Sequence, residues 1–464
     1  MISKNRFYFY LHKIHILIKN ILRLFDFICN KLNQYLLNIK DQSLTKSQKE
    51  ESFDCIRYLI INENNSFPFK YSIERLNTII LNENNSCKNE NMFSFWVSFK
   101  EYFLSQNEKD SIRLLNILSE NLLNQSLSHY QLLNLYTIVL RTGRFEFAYL
   151  IRNASQDELI KNYKKYKKIN KDIIYKIVSI YLERKDDENS LKYFKLIKNT
   201  KNKKYKNFCY FVRLLYSSDF CLNKFIKIEN FNNEIDTLYG DTINNKNIAL
   251  VGPGNFESID GELIDSHDLV IRLNYEDSLK YASPIKKGTK CNITYFSGGQ
   301  TTFFLENKIS DWPKDITWLV TKVNNVIELI KLKFFRFGNL STNVRSFIHQ
   351  DINLYHGSLN LLPNILLDLV RFQAKSIKVF HSDLYLTLLP SKGYYENYNN
   401  EVITAIRGFS FGHDPLTQYF IINTLWENNK IIGDQYFKTV MNIDALTYMK
   451  NLEINYSKLI LESI

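Results

Sequence analysis

A chain of 464 residues exceeds the roughly 100–200 residues of an ordinary domain, so two or three domains are expected. Hydrophobic residues at 45% and charged residues at 23% exclude a disordered chain and provide for a sizeable core. The formal net charge of +12 is spread over many lysines and arginines; it favours anionic partners such as acidic membranes or nucleotides, but no nucleic-acid-binding motif accompanies it, and nucleic acid is not an expected partner.

Residues 1–37 are rich in aromatic and aliphatic side chains, interrupted by Lys4, Arg6, Lys13, Lys19, Arg23 and Lys31. No stretch approaches the roughly 18 uncharged apolar residues of a spanning helix, and no small-residue cleavage site of a signal peptide is present. A basic, amphipathic segment of this kind suits either peripheral contact with a membrane interface or docking on its own domain. Further on, Leu132, Leu133, Leu135, Ile138, Val139 and Leu140 recur at helical spacing, Arg141 to Arg144 reads as a turn, and Phe145 to Ile151 resumes a helix. A second pair follows: Ile173, Ile174, Ile177, Val178, Tyr181 and Leu182, a polar break at Lys185 to Glu188, then Leu191, Phe194, Leu196 and Ile197. Helix pairs joined by short turns predict a solenoid-like helical repeat, loosely of the tetratricopeptide kind, without a fixed repeat signature.

Glycine and proline mark the boundary. Of 14 glycines only Gly143 and Gly240 precede residue 250, and of 7 prolines only Pro68 does. Helical arrays avoid both residues, whereas tight turns and ligand loops need them. An all-α accessory region over 1–240 and a second domain over 241–464 are therefore expected. In the second domain short apolar runs alternate with helical stretches: Asn247 to Val251, Leu269 to Ile271, Ile293 to Tyr295, Ile316 to Val320 and Ile377 to Phe380. That alternation predicts an α/β fold, a single Rossmann-like nucleotide-binding domain with a parallel sheet and flanking helices. Its ligands should bind at the carboxyl ends of the strands.

Three segments carry candidate chemistry. The first strand runs into Gly252-Pro253-Gly254-Asn255, where glycines allow close backbone approach to a ligand and Asn255 offers a side-chain amide; a plain strand-ending turn accounts for the glycines equally well. Downstream, Ile264-Asp-Ser-His-Asp-Leu-Val-Ile-Arg272-Leu-Asn274 leads into the second strand, with Asp265, Ser266 and His267 read as a turn network. A second segment, Gly357-Ser358 onward to Phe372, reads as a helix, followed by a strand from Ser376 that closes in Asp383-Leu-Tyr385. In the third, Phe409-Ser-Phe-Gly-His413-Asp414-Pro415, Asp414 can cap and Pro415 suits the first turn, so a helix starts there and His413 stands just outside its N-terminus. The positive end of the helix disfavours imidazolium, leaving a neutral ring able to accept a proton.

Ala249 to Asn255 together with Ile264 to Asn274 resemble the large sialyl motif of the animal-type sialyltransferases, glycosyltransferase family 29. Arg272-Leu-Asn274 and the Gly-His413 pair are similar to elements of the bacterial glycosyltransferase family 42, and Gly357 to Tyr385 is similar to the small sialyl motif. The chain departs from those patterns at Pro253, where asparagine is usual, at the start of the second segment, which lacks a Ser/Thr-Gly pair, and at Gln418, where the animal pattern has glutamate.

The resemblance covers roughly residues 246 to 430. It implies a GT-A-variant nucleotide-binding domain with a seven-stranded parallel sheet, and a lid to which Lys392 to Asn400 would contribute. The implied activity is transfer of sialic acid (Neu5Ac) from CMP-sialic acid to a hydroxyl of a galactose-type glycan or glycolipid acceptor, such as lipooligosaccharide, with inversion and with neither metal nor cofactor. By the same resemblance His413 is the general base and Tyr385, with Tyr394 or Tyr395, donates to the leaving phosphate. Gly252, Gly254, Asn255, Arg272, Asn274, Ser358 and Asp383 would hold the donor nucleotide. His267, His356 and His381 are the reserve bases.

Two other readings stay open: transfer of a different CMP-activated sugar such as Kdo or another nonulosonate, and a non-catalytic nucleotide-binding interaction protein. The cysteines Cys29, Cys55, Cys87, Cys209, Cys221 and Cys291 form no CxxC pair, which predicts free thiols in a reducing compartment. With a Lys-, Asn- and Ile-rich composition, this points to a bacterial cytoplasm, with peripheral attachment to the inner membrane.

Overall fold

The computed structural model describes residues 129–141, 144–163, 171–197, 234–274, 283–298, 315–322, 342–347, 355–386 and 413–462, with isolated positions at 127, 208, 212, 215 and 301. All of them lie in one compact unit spanning Val97–Ile464. The segment 1–37, Tyr394, Tyr395, the expected lid and every cysteine except the free, buried Cys291 lie outside the described residues.

Among the described residues the chain opens with α1 (His129–Arg141), α2 (Phe145–Asn162), α3 (Lys171–Glu183) and α4 (Asp187–Phe194). They pack as the pairs α1/α2 and α3/α4. Asp186 caps α4 by accepting from the Asn189 amide, so the polar break in the sequence serves as a helix start. The change of texture near residue 240 is a change of architecture inside one unit, because α2 and α3 pack on helices that come after β6 in the chain.

After α5 (Glu234–Ile243), the chain forms β1 (Asn247–Val251), α6 (Gly261–Asp265), β2 (Leu269–Leu273), α7 (Pro284–Lys287), β3 (Ile293–Phe296), β4 (Trp318–Thr321) and β5 (Asn343–Ser346). It continues as α8 (Leu361–Arg371), β6 (Ser376–Phe380), α9 (Pro415–Glu427), β7 (Ile432–Gly433), α10 (Gln435–Met441) and α11 (Ala445–Glu462). The seven strands are all parallel, in the order β5-β4-β3-β2-β1-β6-β7, and helices flank the sheet, a Rossmann-like α/β architecture. Continuous apolar runs such as Ile248-Ala-Leu-Val251 are buried throughout, as strands covered on both faces require. Ala249, Val251, Ile264, Val270 and Phe380 form a core cluster between β1, β2, β6 and α6.

A buried ionic network ties the edge of the sheet to its helices. Arg345 on β5 donates from Nε to Asp236 of α5 (2.6 Å) and from Nη2 to Asp368 of α8 (2.9 Å), and its guanidinium lies 4.4 Å from the Tyr239 ring centroid. Tyr295 donates to Asp368 (2.8 Å) and Arg371 to Asp236 (2.7 Å), so each carboxylate is shared by two donors.

Candidate functional site

The strand order places β1 between β2, which leads to one edge, and β6, which leads to the other; the crevice at their carboxyl ends is where ligands enter such sheets. There the Gly252 amide donates to Phe380 O (2.7 Å) and the Gly254 amide to His381 O (2.9 Å). A Cβ at Gly252 would stand 2.4 Å from His381 O, and one at Gly254 would meet both the Phe256 ring and that same carbonyl. Crossing the β6 loop thus already requires both glycines. Lys287 reaches Gly252 O (3.2 Å) from below, and burial, followed by the neighbouring Arg272, pushes its ammonium down to about 7.

Arg272 donates to Lys287 O (2.7 Å) and Lys290 O (3.0 Å), which holds the α7 turn. Asn274, at φ +47°, accepts from the Ser297 amide (2.9 Å) and donates its own amide to Tyr295 O (2.7 Å), tying together the ends of β2 and β3. Asn255 is exposed. The turn network expected of Asp265, Ser266 and His267 is present: the Asp265 carboxylate accepts from the amides of Thr289 and Lys290, and Ser266 donates to Leu263 O.

His413 stands two residues before α9, whose cap is Asp414 and whose first residue is Pro415. Its Nδ1 lies 3.1 Å from Ser358 O and 3.4 Å from Ser358 Oγ. A carbonyl can only accept, so Nδ1 carries the proton and Nε2 keeps a lone pair. Burial, and then the Lys322 ammonium, lower the ring to about 4, opposed by the Ser358 hydrogen bond; the imidazole is neutral at pH 7.

Ser358 belongs to the segment that opens α8. Gly357, at φ +70°, lets that segment pass Asp414 at a distance no side chain allows. Gln418 clamps the segment from α9, donating from Nε2 to Ser358 O (2.9 Å) and accepting from the Asn360 amide (2.9 Å). Asn360 in turn donates from Nδ2 to Tyr385 Oη (3.0 Å). The Tyr385 hydroxyl thus accepts from Asn360, and burial pushes its pKa up to about 12. His413, Ser358 and Tyr385 are thus joined through Gln418 and Asn360.

The loop after β6 connects this group to the glycine turn, since it runs from His381, which accepts from Gly254, to Tyr385. His381, Leu384 and Tyr385 all have positive φ (52°, 50° and 75°), and Asp383 accepts from the Tyr385 amide (3.1 Å). Each such residue costs about 1–3 kcal/mol and persists only where its surroundings over-determine it. Here Asp434 accepts from the His381 amide (2.7 Å), Tyr448 donates to Leu384 O (2.8 Å) and Tyr456 to Tyr385 O (2.9 Å). Burial lowers His381 to about 4, and its Nε2 shares Lys286 O and Ser258 Oγ, so it serves the fold of this loop.

Asn360 and Lys322, whose Nζ donates to Leu359 O (2.8 Å), were not singled out in the sequence, and Gln418 was noted there only as a departure from the animal pattern. Gln418 had a signal: it stands four residues after the capping Asp414, on the same helical face. Among the described residues no group of His, Cys, Asp and Glu could hold a metal ion, and no helix is long and apolar enough to cross a membrane.

Neither protein-family models nor curated proteins match the chain. Among solved structures, a mammalian sialyltransferase in complex with Gal-beta-1-3GalNAc-ortho-nitrophenol aligns over 52% of this chain and 88% of its own, at 14% sequence identity and a TM-score of 0.27. A TM-score of that size assigns no function.

Proposed function

We propose that the chain is a glycosyltransferase that moves sialic acid from CMP-sialic acid to a hydroxyl of a galactose-type glycan, with inversion and without a metal. The observation that carries this reading is the locked tautomer of His413: its Nδ1 proton is given to Ser358 O, and the opposite nitrogen is left basic in a neutral ring at a helix N-terminus. The packing histidine His381 also sets a ring nitrogen on a backbone carbonyl. Only His413 combines that with a place just outside a helix N-terminus and hydrogen bonds that lead through Gln418 and Asn360 to Tyr385, as a general base for a sugar hydroxyl needs.

In the proposed step the acceptor oxygen attacks the anomeric carbon as the carbon–oxygen bond to the CMP phosphate breaks. The acceptor proton passes to His413 Nε2, and the bonding pair leaves with the phosphate. Tyr385, kept protonated by burial, donates to the developing phosphate charge. Gly252, Gly254, Asn274 and Asn255 border the β1/β2 side of the crevice, where the nucleotide would lie.

The test is CMP release from the purified full chain given CMP-Neu5Ac, with and without a galactose-terminated acceptor and with EDTA. Acceptor-stimulated, EDTA-resistant release that falls roughly 100-fold or more in His413→Ala supports the reading. Saturable CMP binding without release would redirect it to another CMP-activated sugar. The absence of both CMP binding and CMP release would refute an enzyme of this class.

A further inference from the structure

The helices ahead of the sheet reach the residue adjoining His413. Asp414 is wholly buried, and its carboxylate is saturated by donors from three helices. Oδ1 accepts from Tyr136 of α1 (2.6 Å) and from the Leu416 amide of α9 (2.9 Å), which makes it the N-cap. Oδ2 accepts from Arg152 Nε of α2 (2.9 Å) and from Thr417 Oγ1 (3.1 Å). Arg152 is itself fixed by a two-pronged pair with Glu183 of α3 (2.7 and 2.8 Å), and its guanidinium lies 5.1 Å from the Tyr355 ring centroid. Glu183 also accepts from Gln156 (2.8 Å).

Far less would cap a helix. A surface aspartate stabilises an N-terminus by one amide bond and contributes about 1 kcal/mol. Here a buried arginine and a tyrosine from the helices ahead of the sheet hold the same carboxylate: removing the arginine leaves Asp414 and Glu183 without their counter-charge in a dry site, and removing the tyrosine hydroxyl leaves Oδ1 one donor short. The cap's backbone is held as well: its carbonyl accepts from Gln418 Nε2 (3.1 Å), the side chain that orients Ser358 O, the acceptor of the His413 proton.

We propose that Tyr136 and Arg152 are positioning residues for His413, so that the helical region completes the active site instead of serving as an appended module. This inference rests on the reading of His413 as the base. The two helices clamp Asp414, Asp414 fixes the start of α9, and the imidazole is thereby held with Nδ1 on Ser358 O.

The experiment uses the full chain carrying Tyr136→Phe, which removes one hydroxyl and keeps the ring, with Arg152→Lys as the second variant should the first not fold. Three quantities are read: kcat and KM for CMP-Neu5Ac, the urea midpoint, and the imidazole nitrogen resonances of His413, assigned by their loss in His413→Gln. The expected result is a kcat lowered roughly 10-fold to 100-fold, the scale of a catalytic group misplaced by about 1 Å. KM should stay within about twofold, because uniform binding is untouched, and the His413 Nδ1 resonance should move. An unchanged kcat with an unmoved resonance overturns the inference, as does a loss of kcat that only tracks the unfolded fraction. If the wild type releases no CMP, the transferase reading fails by itself; the His413 resonance, which needs no substrate, still decides whether the clamp positions the ring.

Discussion

Replacing Gly357 by alanine tests whether the close passage of the α8 segment past Asp414 is a structural necessity. The residue has φ +70°, a region that costs an L-residue about 1–2 kcal/mol. Its new Cβ would stand 2.7 Å from the Asp414 amide nitrogen and 2.8 Å from the Asp414 Cβ. Neither is the far end of a flexible side chain. Both belong to a cap clamped by Tyr136 and Arg152, so relief must come from moving Ser358 away from α9. Overpacking of this kind costs a further 1–3 kcal/mol or so, which puts the sum at about 3 kcal/mol. Urea unfolding read by tryptophan fluorescence should show a lower midpoint with an unchanged slope, and CMP release should fall further than stability alone explains, because the partner of the His413 proton has moved. Gly298→Ala is the control: a Cβ there meets nothing within 4 Å, and its midpoint should match the wild type. A Gly357→Ala variant as stable as wild type, or a Gly298→Ala variant equally weakened, would refute the reasoning.

Acid should unfold the protein in a window set by buried histidines. His129 and His381 are lowered from 6.5 to about 4, in both cases mainly by burial. Between those values the unfolded state binds more protons than the folded one, so their contribution is complete above about pH 6.5 and is lost as pH falls towards 4, by at most about 3 kcal/mol for each ring. Urea midpoints should hold between pH 7.5 and about 6.5 and fall from there to 4.5; a flat profile would contradict the burial. Arg345→Met should lower stability by roughly 3–5 kcal/mol, because Asp236 and Asp368 would keep their charges in the interior without the guanidinium between them. The same urea titration checks it, and a loss below about 1 kcal/mol would show that water reaches the carboxylates.

The sheet was legible wherever burial on both faces demanded an unbroken apolar run. The run expected at Asn247 to Val251 is β1, and the runs at Leu269, Ile293 and Ile377 each fall within one residue or two of β2, β3 and β6. β5 escaped because Asn343-Val-Arg-Ser346 holds one aliphatic residue; its place in the sheet comes from pairing with β4 and from the carboxylates that receive Arg345, neither of which is local in sequence. β7 is only Ile432–Gly433, too short for periodicity to register. The helix start at Asp414-Pro415 was legible because capping is chemistry between near neighbours. That the same carboxylate also receives Tyr136 and Arg152, 278 and 262 residues earlier, was not.

The glycine turn is where local and long-range demands coincide. Gly252-Pro-Gly254 reads in sequence as a loop that brings backbone close to a phosphate, yet in the fold the two glycines are already required by the His381 carbonyl that both approach. The two demands are compatible, because the crossing that excludes side chains at Gly252 and Gly254 also sets the β6 loop into its positive-φ path from His381 to Tyr385. Asp434, Tyr448 and Tyr456, all C-terminal to the candidate base, then hold that path. The glycines therefore act on the site through Tyr385. A side chain at Gly252 would displace the loop that carries Tyr385, the proposed donor to the leaving phosphate, before it could touch a nucleotide, so loss of activity in a Gly252 variant would be no evidence of direct phosphate contact.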